Sequence, residues 1–341
     1  MRGRRFLATI ASVALMALFG YAVWAVLGTL QTKGSTTIKP TAEKALVDLP
    51  GTVDVVQGGH IYSLSNLQFT ELHTSPGDWV QAAPAPNGDL LGVVRGNGYS
   101  NIYLLNSQGQ TIRTLLNDAS SYFFDNHFAF YPRVSANGQS LFYAWNWLDP
   151  DANYDVDFEI QAVPLANTDA DPTVWSTPNE YQGGDVEPVP LANGGVIYSK
   201  YAVNTATGAT YSQLAYIASP YANLVYLTTP QENCSEASIN RAGTTIAMIC
   251  TDNLHQSTTL DLATWNGTSL GPLRVVSNGP LAASPTWSQT GNSLLFLDPV
   301  KRNQPFQLWW LPDATSAKLG PVQQVTENLN LTATSAPVWT S

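Results

Sequence analysis

Charged side chains are scarce in this sequence, at 12% of 341 residues, and basic ones are scarcer than acidic ones. Four of the 15 Lys and Arg residues lie near the N-terminus, at Arg2, Arg4, Arg5 and Lys33. The rest of the chain has eleven basic residues against 25 acidic ones and no cluster of Lys and Arg. Because binding to DNA or RNA backbones depends on clustered basic side chains that displace counterions, nucleic acid is not the expected partner.

The sequence also has little that predicts catalysis. It contains no His-Glu-x-x-His pair and no glycine-rich phosphate loop. Its four histidines are isolated from one another, at His60, His73, His127 and His255. An enzyme is therefore the less favoured hypothesis, since catalysis needs several groups that converge on one site.

One long apolar segment is present near the N-terminus. Residues 6–30 are 25 consecutive uncharged and mostly apolar positions, more than the roughly 20 that a helix needs to cross the hydrocarbon core. Three arginines precede the segment and Lys33 follows it, so the positive-inside rule predicts a cytoplasmic N-terminus and an exported body. The sequence thus predicts a cytoplasmic stub over 1–5 and a transmembrane signal anchor over 6–30.

Two alternatives and a connecting segment belong to the same region. A cleaved signal peptide is the competing interpretation, because Val23-Trp24-Ala25 resembles a weak cleavage site. Lipid attachment of the bacterial lipoprotein type is excluded, because no cysteine follows the apolar run. Residues 31–52 are polar and interrupted by Gly and Pro, which predicts a flexible linker, with a short helical turn near 41–47 as the alternative.

The body of the chain contains an internal repeat of about fifty residues. Each copy has an apolar strand, a polar turn with glycine and a second strand rich in Val, Ile, Leu and Phe, as in a β-hairpin. Two further strands follow in most copies, and four strands per repeat is typical of a propeller blade. The turn glycines of the five copies are Gly88, Gly138, Gly194, Gly243 and Gly291.

The two ends of the body together supply a sixth blade. A last copy begins at Pro337 and ends after one strand, whereas residues 53–74 contain three strand-like segments without a leading one. Joined, they would close the ring and remove exposed strand edges. The predicted fold class is all-β, a six-bladed β-propeller with four-stranded antiparallel blades over residues 53–341. An open β-sandwich or two smaller β domains are the alternatives.

The repeat resembles that of TolB-type propellers. Residues 284–291 read SPTWSQTG and precede SLLFLD, residues 131–138 read YPRVSANG and precede SLFYAW, and Ile-Tyr pairs occur at 61–62 and 102–103. The resemblance covers residues 53–341 and departs in the fourth copy, where Ala237 replaces Pro and Asn240 replaces Ser. It implies the fold, but such propellers serve scaffolding, peptidase gating and sugar or protein binding alike. TolB's helical domain is not expected here, so its partners are not transferred.

The two cysteines, Cys234 and Cys250, are equidistant from Ala242 at the centre of the fourth copy's turn. In an antiparallel hairpin such residues lie opposite each other, close enough for a disulfide. The sequence predicts this bridge, which needs an oxidising compartment and agrees with export. Two buried free thiols are the alternative.

An acidic segment offers a candidate metal site. Asp149, Asp151, Asn153 and Asp157 occupy positions one, three, five and nine of a candidate calcium loop. Tyr154 stands where such loops usually have glycine, so a solvated acidic loop is the alternative. Calcium is the one cofactor for which the sequence offers ligands.

A second candidate site follows from the repeat. The residues just before each copy are Gln81, Tyr131, Glu187, Glu236, Ser284 and Ala336. Because the innermost strands of a propeller line its channel, Glu187 and Glu236, with Asp185 nearby, are predicted at the channel mouth, where they would suit a cation or a polyhydroxy ligand. The alternative is that they cap strand ends in water.

The resulting hypothesis is a membrane-anchored extracytoplasmic propeller that binds a protein partner or cell-envelope component as a scaffold. One alternative is an accessory subunit of a larger membrane complex, whose helix packs through small residues such as Ala11, Ala14 and Gly20. A sugar-binding or metal-dependent hydrolase propeller is the other.

Overall fold

The structure, a computed structural model, describes residues 37–72, 74–122, 125–148, 156–179 and 182–340. These residues form 24 β-strands and two short 3₁₀ helices, Pro40–Ala42 and Pro86–Gly88. Neither helix has the length and apolarity needed to cross a bilayer. The predicted anchor, residues 6–30, lies outside the described residues.

The strands form six sheets of four antiparallel strands, each of which is one blade. The first three strands are β1 (Thr52–Gln57), β2 (His60–Ser65) and β3 (Gln68–Glu71). Blade 1 comprises β4 (Trp79–Pro84), β5 (Leu90–Arg95), β6 (Ser100–Leu105) and β7 (Thr111–Leu116). Blade 2 comprises β8 (Ala129–Val134), β9 (Ser140–Leu148), β10 (Val156–Pro164) and β11 (Thr173–Val174). Blade 3 comprises β12 (Asp185–Pro190), β13 (Val196–Val203), β14 (Thr210–Ile217) and β15 (Val225–Tyr226).

Two more blades follow along the chain, and the last strand returns to the first three. Blade 4 comprises β16 (Cys234–Ile239), β17 (Thr245–Asp252), β18 (Ser257–Thr264) and β19 (Arg274–Ser277). Blade 5 comprises β20 (Ala283–Trp287), β21 (Leu294–Pro299), β22 (Phe306–Leu311) and β23 (Gln323–Gln324). Blade 6 has the order β24-β1-β2-β3, with β24 at Val338–Thr340. The first strand of each blade contacts that of the next, so the blades follow one another around a ring.

Both chain ends meet in blade 6, as the sequence predicts. β24 pairs antiparallel with β1, with Val53 opposite Trp339 and Asp54 opposite Val338. Trp339 is buried, and its indole N–H donates to the Pro50 carbonyl at 2.7 Å. The predicted six-bladed propeller closed by its two ends is therefore confirmed.

The core consists of apolar layers between neighbouring blades. In β5, five consecutive residues, 90–94, are buried, because both faces of an inner strand pack against a neighbour. The layer between blades 1 and 2 combines Val93 and Ile102 with Leu141 and Tyr143. Each blade is therefore held mainly by apolar side chains of the next.

A hydroxyl side chain ends the fourth strand of three blades in the same way. Its oxygen accepts a hydrogen bond from the backbone N–H of a residue in the third strand. The carbonyl of that same third-strand residue accepts the backbone N–H of the residue that precedes the hydroxyl residue. The hydroxyl acceptors and their backbone donors are Ser176 with Ile160, Thr228 with Leu214 and Thr326 with Leu308, at 2.8–2.9 Å. Trp175, Leu227 and Val325 therefore hold equivalent positions in blades 2, 3 and 5, each with an N–H bond of 2.8 Å.

Residues 37–51 lie along the groove between blades 5 and 6, although the sequence predicts a flexible linker over 31–52. Ala45 and Leu49 are buried in the apolar layer there, with Ile38 packed against it. This burial offsets the entropy cost of ordering the segment. Its backbone N–H groups donate from Ile38 to Asn328 O at 3.0 Å, from Ala45 to Leu67 O at 3.0 Å and from Leu46 to Val325 O at 2.8 Å.

The predicted disulfide is present in blade 4. Cys234 and Cys250 stand directly opposite each other on β16 and β17. Their sulfur atoms are 2.06 Å apart. The bridge closes the β16–β17 hairpin, and both cysteines are part of the apolar layer shared with blade 3.

Replacing both cysteines by serine (C234S with C250S) is expected to lower the free energy of unfolding by about 3 kcal/mol, because the bridge restricts a short loop of the unfolded chain. Urea unfolding of the oxidised wild type and the variant measures the difference. Leu254→Ala, which changes a side chain that is 85% exposed, is the control and should match the wild type. A serine variant as stable as the oxidised wild type would contradict this expectation.

Candidate functional site: the central channel

The first strands of all six blades line a central channel. At one mouth the channel widens into a cavity of about 280 Å³. Its wall exposes polar and apolar atoms in similar measure. The apolar members include Val134, Ile239 and Trp287, and the polar members are Arg133, Ser238, Thr286 and Gln289. We call this cavity the channel cup.

Below the cup the channel narrows to a cavity of about 30 Å³. Tyr131, Arg133, Glu187, Glu236 and Ser284 line this narrow part. One water molecule needs a cavity of about 10–15 Å³, so there is room for water and not for a sugar or a peptide. The cup therefore ends in a polar floor.

A repeated β-bulge places the floor side chains. The pairing register shifts in the first strand of blades 2 to 5. The residue at each shift has a positive φ, namely Tyr131 (55°), Glu187 (59°), Glu236 (53°) and Ser284 (52°). A non-glycine residue keeps this conformation where its surroundings hold it, and a bulge re-aims its side chain.

Hydrogen bonds between neighbouring blades hold these bulges. The Glu187 carboxylate accepts from Ser199 Oγ at 2.7 Å and from the Glu236 N–H at 2.9 Å. The Glu236 carboxylate accepts from the Ser284 N–H. Gln81 Oε1 accepts from the Tyr131 N–H at 2.7 Å. We call Gln81, Tyr131, Glu187, Glu236 and Ser284 the channel belt.

The segment before β24 connects the two ends of the belt. Ser284 Oγ donates to the Ala333 carbonyl at 2.7 Å, and Gln81 Nε2 donates to the Thr334 carbonyl at 3.2 Å. Ser335 Oγ accepts from the Ala82 N–H at 3.0 Å. Polar bonds around the channel thus reinforce the ring closure made by β24 and β1.

The electrostatics of the floor follow from burial. Desolvation raises the pKa of Glu187, against the bonds from Ser199 and Glu236 and the nearby Arg133. Desolvation and the charge of Glu187 raise the pKa of Glu236 to about 8. Burial therefore favours the protonated form of both carboxylates, and the pKa shift is larger for Glu236 because of the charge of Glu187 beside it.

Of the three predicted channel residues, the structure brings two together. Glu187 and Glu236 adjoin in the belt, and the bond between them shows a structural role. Asp185 is fully buried elsewhere, where Lys200 Nζ lies 3.0 and 3.3 Å from its two carboxylate oxygens. Two residues apart on a regular strand they would share a face, but the bulge at Glu187 breaks that alternation.

Three residues of the candidate calcium loop, Asp149, Asp151 and Asn153, lie outside the described residues. Asp157 is described and belongs to β10, opposite Trp147, with a buried side chain. Among the residues that the structure describes, no three His, Cys, Asp or Glu side chains form a group that could hold a metal ion.

One Gly-x-Ser-x-Gly sequence occurs, at residues 267–271, and its context argues against a catalytic serine. It forms part of the turn between β18 and β19, not the strand-to-helix elbow that exposes a nucleophile. Asn266 Oδ1 accepts from the Ser269 N–H at 2.9 Å, and Asn266 Nδ2 donates to Ser269 Oγ at 2.7 Å. Ser269 therefore serves the turn.

Sequence reasoning missed Arg133 and Ser199. Arg133 follows Pro132, the first residue of its repeat copy, so the repeat register could have placed it on an innermost strand. Ser199 lies on β13, and nothing in its sequence context distinguishes it from other strand serines. Its role depends on the bulge that brings Glu187 beside it.

No protein-family model and no curated protein matches the sequence. Solved structures share the fold. A structure of TolB from Acinetobacter baumannii superimposes with a TM-score of 0.63 at 14% identity, over 86% of this chain and 67% of that one. TolB from Agrobacterium tumefaciens gives a TM-score of 0.51 at 13% identity, over 70% and 80%. A chain of a nidogen/laminin complex gives 0.56 at 11% identity, over 85% and 98%. The fold is a six-bladed propeller of the TolB type.

Glu236→Gln should make the protein's stability less dependent on pH. The folded chain holds the Glu236 proton more tightly than the unfolded chain, so wild-type stability falls as pH rises from about 4.5, the ordinary value, towards about 8. Glutamine stays neutral and can still accept the Ser284 N–H. Its melting temperature should exceed that of the wild type by several degrees at pH 8 and converge with it near pH 4.

Melting curves of both proteins between pH 4 and 9 measure this difference. The matched control is Asp313→Asn, the same type of change at an exposed side chain. It should follow the wild-type profile. Parallel curves for Glu236→Gln and the wild type would show that folding does not raise the pKa of Glu236.

Proposed function

We propose that this protein is a membrane-anchored extracytoplasmic propeller that binds a protein partner or cell-envelope component in the channel cup. The observation that carries the proposal is the cup itself, a cavity of about 280 Å³ that exposes polar and apolar atoms in similar measure and ends in a polar floor. Concave apolar surfaces with a few convergent polar groups are the usual binding sites of proteins. The floor below it has no room for a substrate, which favours binding over turnover.

The proposed partner contacts the cup with a side chain rather than a folded surface. Trp287 and Trp339 are almost fully buried, so the cup is set by packing and does not need to rearrange. Trp287 Nε1 donates to the Ser238 carbonyl at 3.0 Å, which fixes the indole in the wall. A rigid cup of this size suits an aliphatic or aromatic side chain presented by a loop.

The extracytoplasmic location is supported by the disulfide and by the N-terminal region. A disulfide such as Cys234–Cys250 persists in oxidising compartments. The apolar segment over 6–30, with its preceding arginines, gives the topology expected from the positive-inside rule. Residues 37–51 then lead from that segment to the rim between blades 5 and 6.

A fusion of residues 1–36 to alkaline phosphatase tests the location, because this enzyme is active only where its disulfides form. High activity in the membrane fraction is expected, and the enzyme without the segment is the control. Activity released into the soluble fraction would replace the anchor by a cleaved signal peptide. No activity would contradict export.

Affinity purification of the full-length protein from its own membranes tests the binding role. A partner present in equal amount is expected, and Ser238→Phe, which fills the cup, should reduce its recovery at least about tenfold. Ser107→Phe on an exposed turn of blade 1 is the control. A partner retained equally by both variants would place binding elsewhere, and the wild type always purified alone would contradict the proposal.

A further inference from the structure

The lining of the channel cup contains one charged side chain, that of Arg133. In every copy of the repeat the second residue lies on the innermost strand of its blade. These six equivalent residues are Ala83, Arg133, Val189, Ser238, Thr286 and Val338. Five of them are uncharged, so the repeat itself does not require a cation at this position. The guanidinium is therefore a property of this site and not of the fold.

Arg133 does not have the contacts of a structural arginine. Within the described part of the chain its guanidinium donates one hydrogen bond, from Nη1 to the carbonyl of the adjacent Pro132 at 3.1 Å, and forms no ion pair. Arg113 and Arg274 differ, because each donates to two backbone carbonyls of the following blade. A guanidinium has five N–H donors. Most of those of Arg133 are therefore available to a ligand.

The floor of the channel does not neutralise Arg133 by direct contact. Glu187 Oε2 accepts from Ser199 Oγ and from the Glu236 N–H. Desolvation lowers the pKa of Arg133, and the charge of Glu187 opposes this effect. A guanidinium stays protonated in proteins, because its ordinary pKa is above 12. Arg133 lines both the cup and the narrow floor, so it places a positive charge at the base of the cup.

Two hydroxyl residues, Ser238 and Thr286, line the cup on blades 4 and 5. Blade 5 lies opposite blade 2, the blade of Arg133, because the ring has six blades. Neither hydroxyl has a hydrogen-bond partner in the part of the chain that the structure describes. Hydroxyl groups can donate to an anion. The cup therefore has donors on opposite sides and no acidic residue in its lining.

We propose that the channel cup binds a carboxylate group of the protein partner, which pairs with the Arg133 guanidinium through two parallel hydrogen bonds. Arginine presents donors whose spacing matches the two oxygens of a carboxylate. A single guanidinium favours a carboxylate over a phosphate, since phosphorylated motifs are usually recognised by clusters of arginines. This inference rests on the proposed binding role of the cup and names the chemistry of the group that enters it.

The rest of the cup fits the carbon chain that carries the carboxylate. Its aliphatic part packs against apolar members of the wall such as Ile239 and Trp287, and the Ser238 and Thr286 hydroxyls donate to the carboxylate from the side opposite Arg133. The carboxylate comes from a glutamate or aspartate side chain in a loop of the partner or from the partner's C-terminus. Both sources present the same group to Arg133.

Ligand-observed NMR titrations of the full-length protein in detergent micelles test the proposal with two pairs of peptides. The first pair is acetyl-Ala-Glu-Ala-amide and its uncharged control acetyl-Ala-Gln-Ala-amide. The second is acetyl-Ala-Leu with a free carboxylate and the same peptide as its amide. In at least one pair the acid should bind about tenfold more tightly or better, because hydrogen bonds between charged groups are the stronger ones. The pair that discriminates identifies the source of the carboxylate.

Variants of Arg133 locate the pairing. Arg133→Met removes the charge at similar length and should weaken binding of the acid about tenfold while leaving the amide unchanged. Arg133→Lys keeps the charge without the two parallel donors, so its affinity for the acid should be intermediate. The matched control is Arg302→Met on an exposed turn of blade 5, which should bind as the wild type does. Melting temperatures show whether each variant is folded.

Ser238→Phe, which fills the cup, separates this proposal from the one on which it rests. It should abolish binding of the acid peptides. If acid and amide bind the wild type equally and Ser238→Phe abolishes both, the cup binds peptides without recognising a carboxylate, and this inference alone is overturned. Acid binding that Arg133→Met leaves unchanged, or no binding of either acid to the wild type, overturns it as well. Recovery of the partner by affinity purification tests the binding role independently.

Discussion

The pairing of β24 with β1 is the constraint on which the rest of the structure depends. Three residues at the C-terminus, 338–340, supply the innermost strand of a blade whose other strands come from the N-terminal side. Each apolar layer lies between two blades, so a ring opened here would expose both faces of the layer between blades 5 and 6. The channel belt depends on the same closure, because its ends meet on residues 333–335 just before β24.

Much of the fold could be predicted from the sequence because each copy of the repeat has the same kinds of turn and strand residues. Glycine turns such as Gly138 and Gly291 and the apolar second strands are local signals, and five copies reinforce one another. The outermost strands β11, β15 and β23 have two residues each, too short for a periodic signal. The order of residues 37–51 could not be predicted from the sequence. Their buried side chains, such as Ala45 and Leu49, match the shape of the groove and do not recur at the spacing of a helix or a strand.

The site was predicted less well, for a related reason. The repeat register placed Glu187 and Glu236 on innermost strands, and there they are. No feature of the sequence predicts the positive φ of Glu187 and Glu236, because glycine and asparagine are the residues that usually adopt it. The bulges turn the carboxylates towards a neighbouring blade's N–H groups, so both acids connect neighbouring blades around the ring. The same bulge explains why Asp185 does not join Glu187 and Glu236 in the channel, because it breaks the alternation of side chains between the two faces of β12.

Residues 37–51 also determine how the molecule bears mechanical load. A pull on the N-terminal segment reaches Ile38 first, and the bonds to blades 5 and 6 and the buried side chains resist it before tension reaches Thr52. Thr52 pairs with Thr340 in the strand pair that closes the ring. The bound segment therefore shields the strand pair that closes the ring from a force applied on its N-terminal side, because such a force must first break the contacts of residues 37–51.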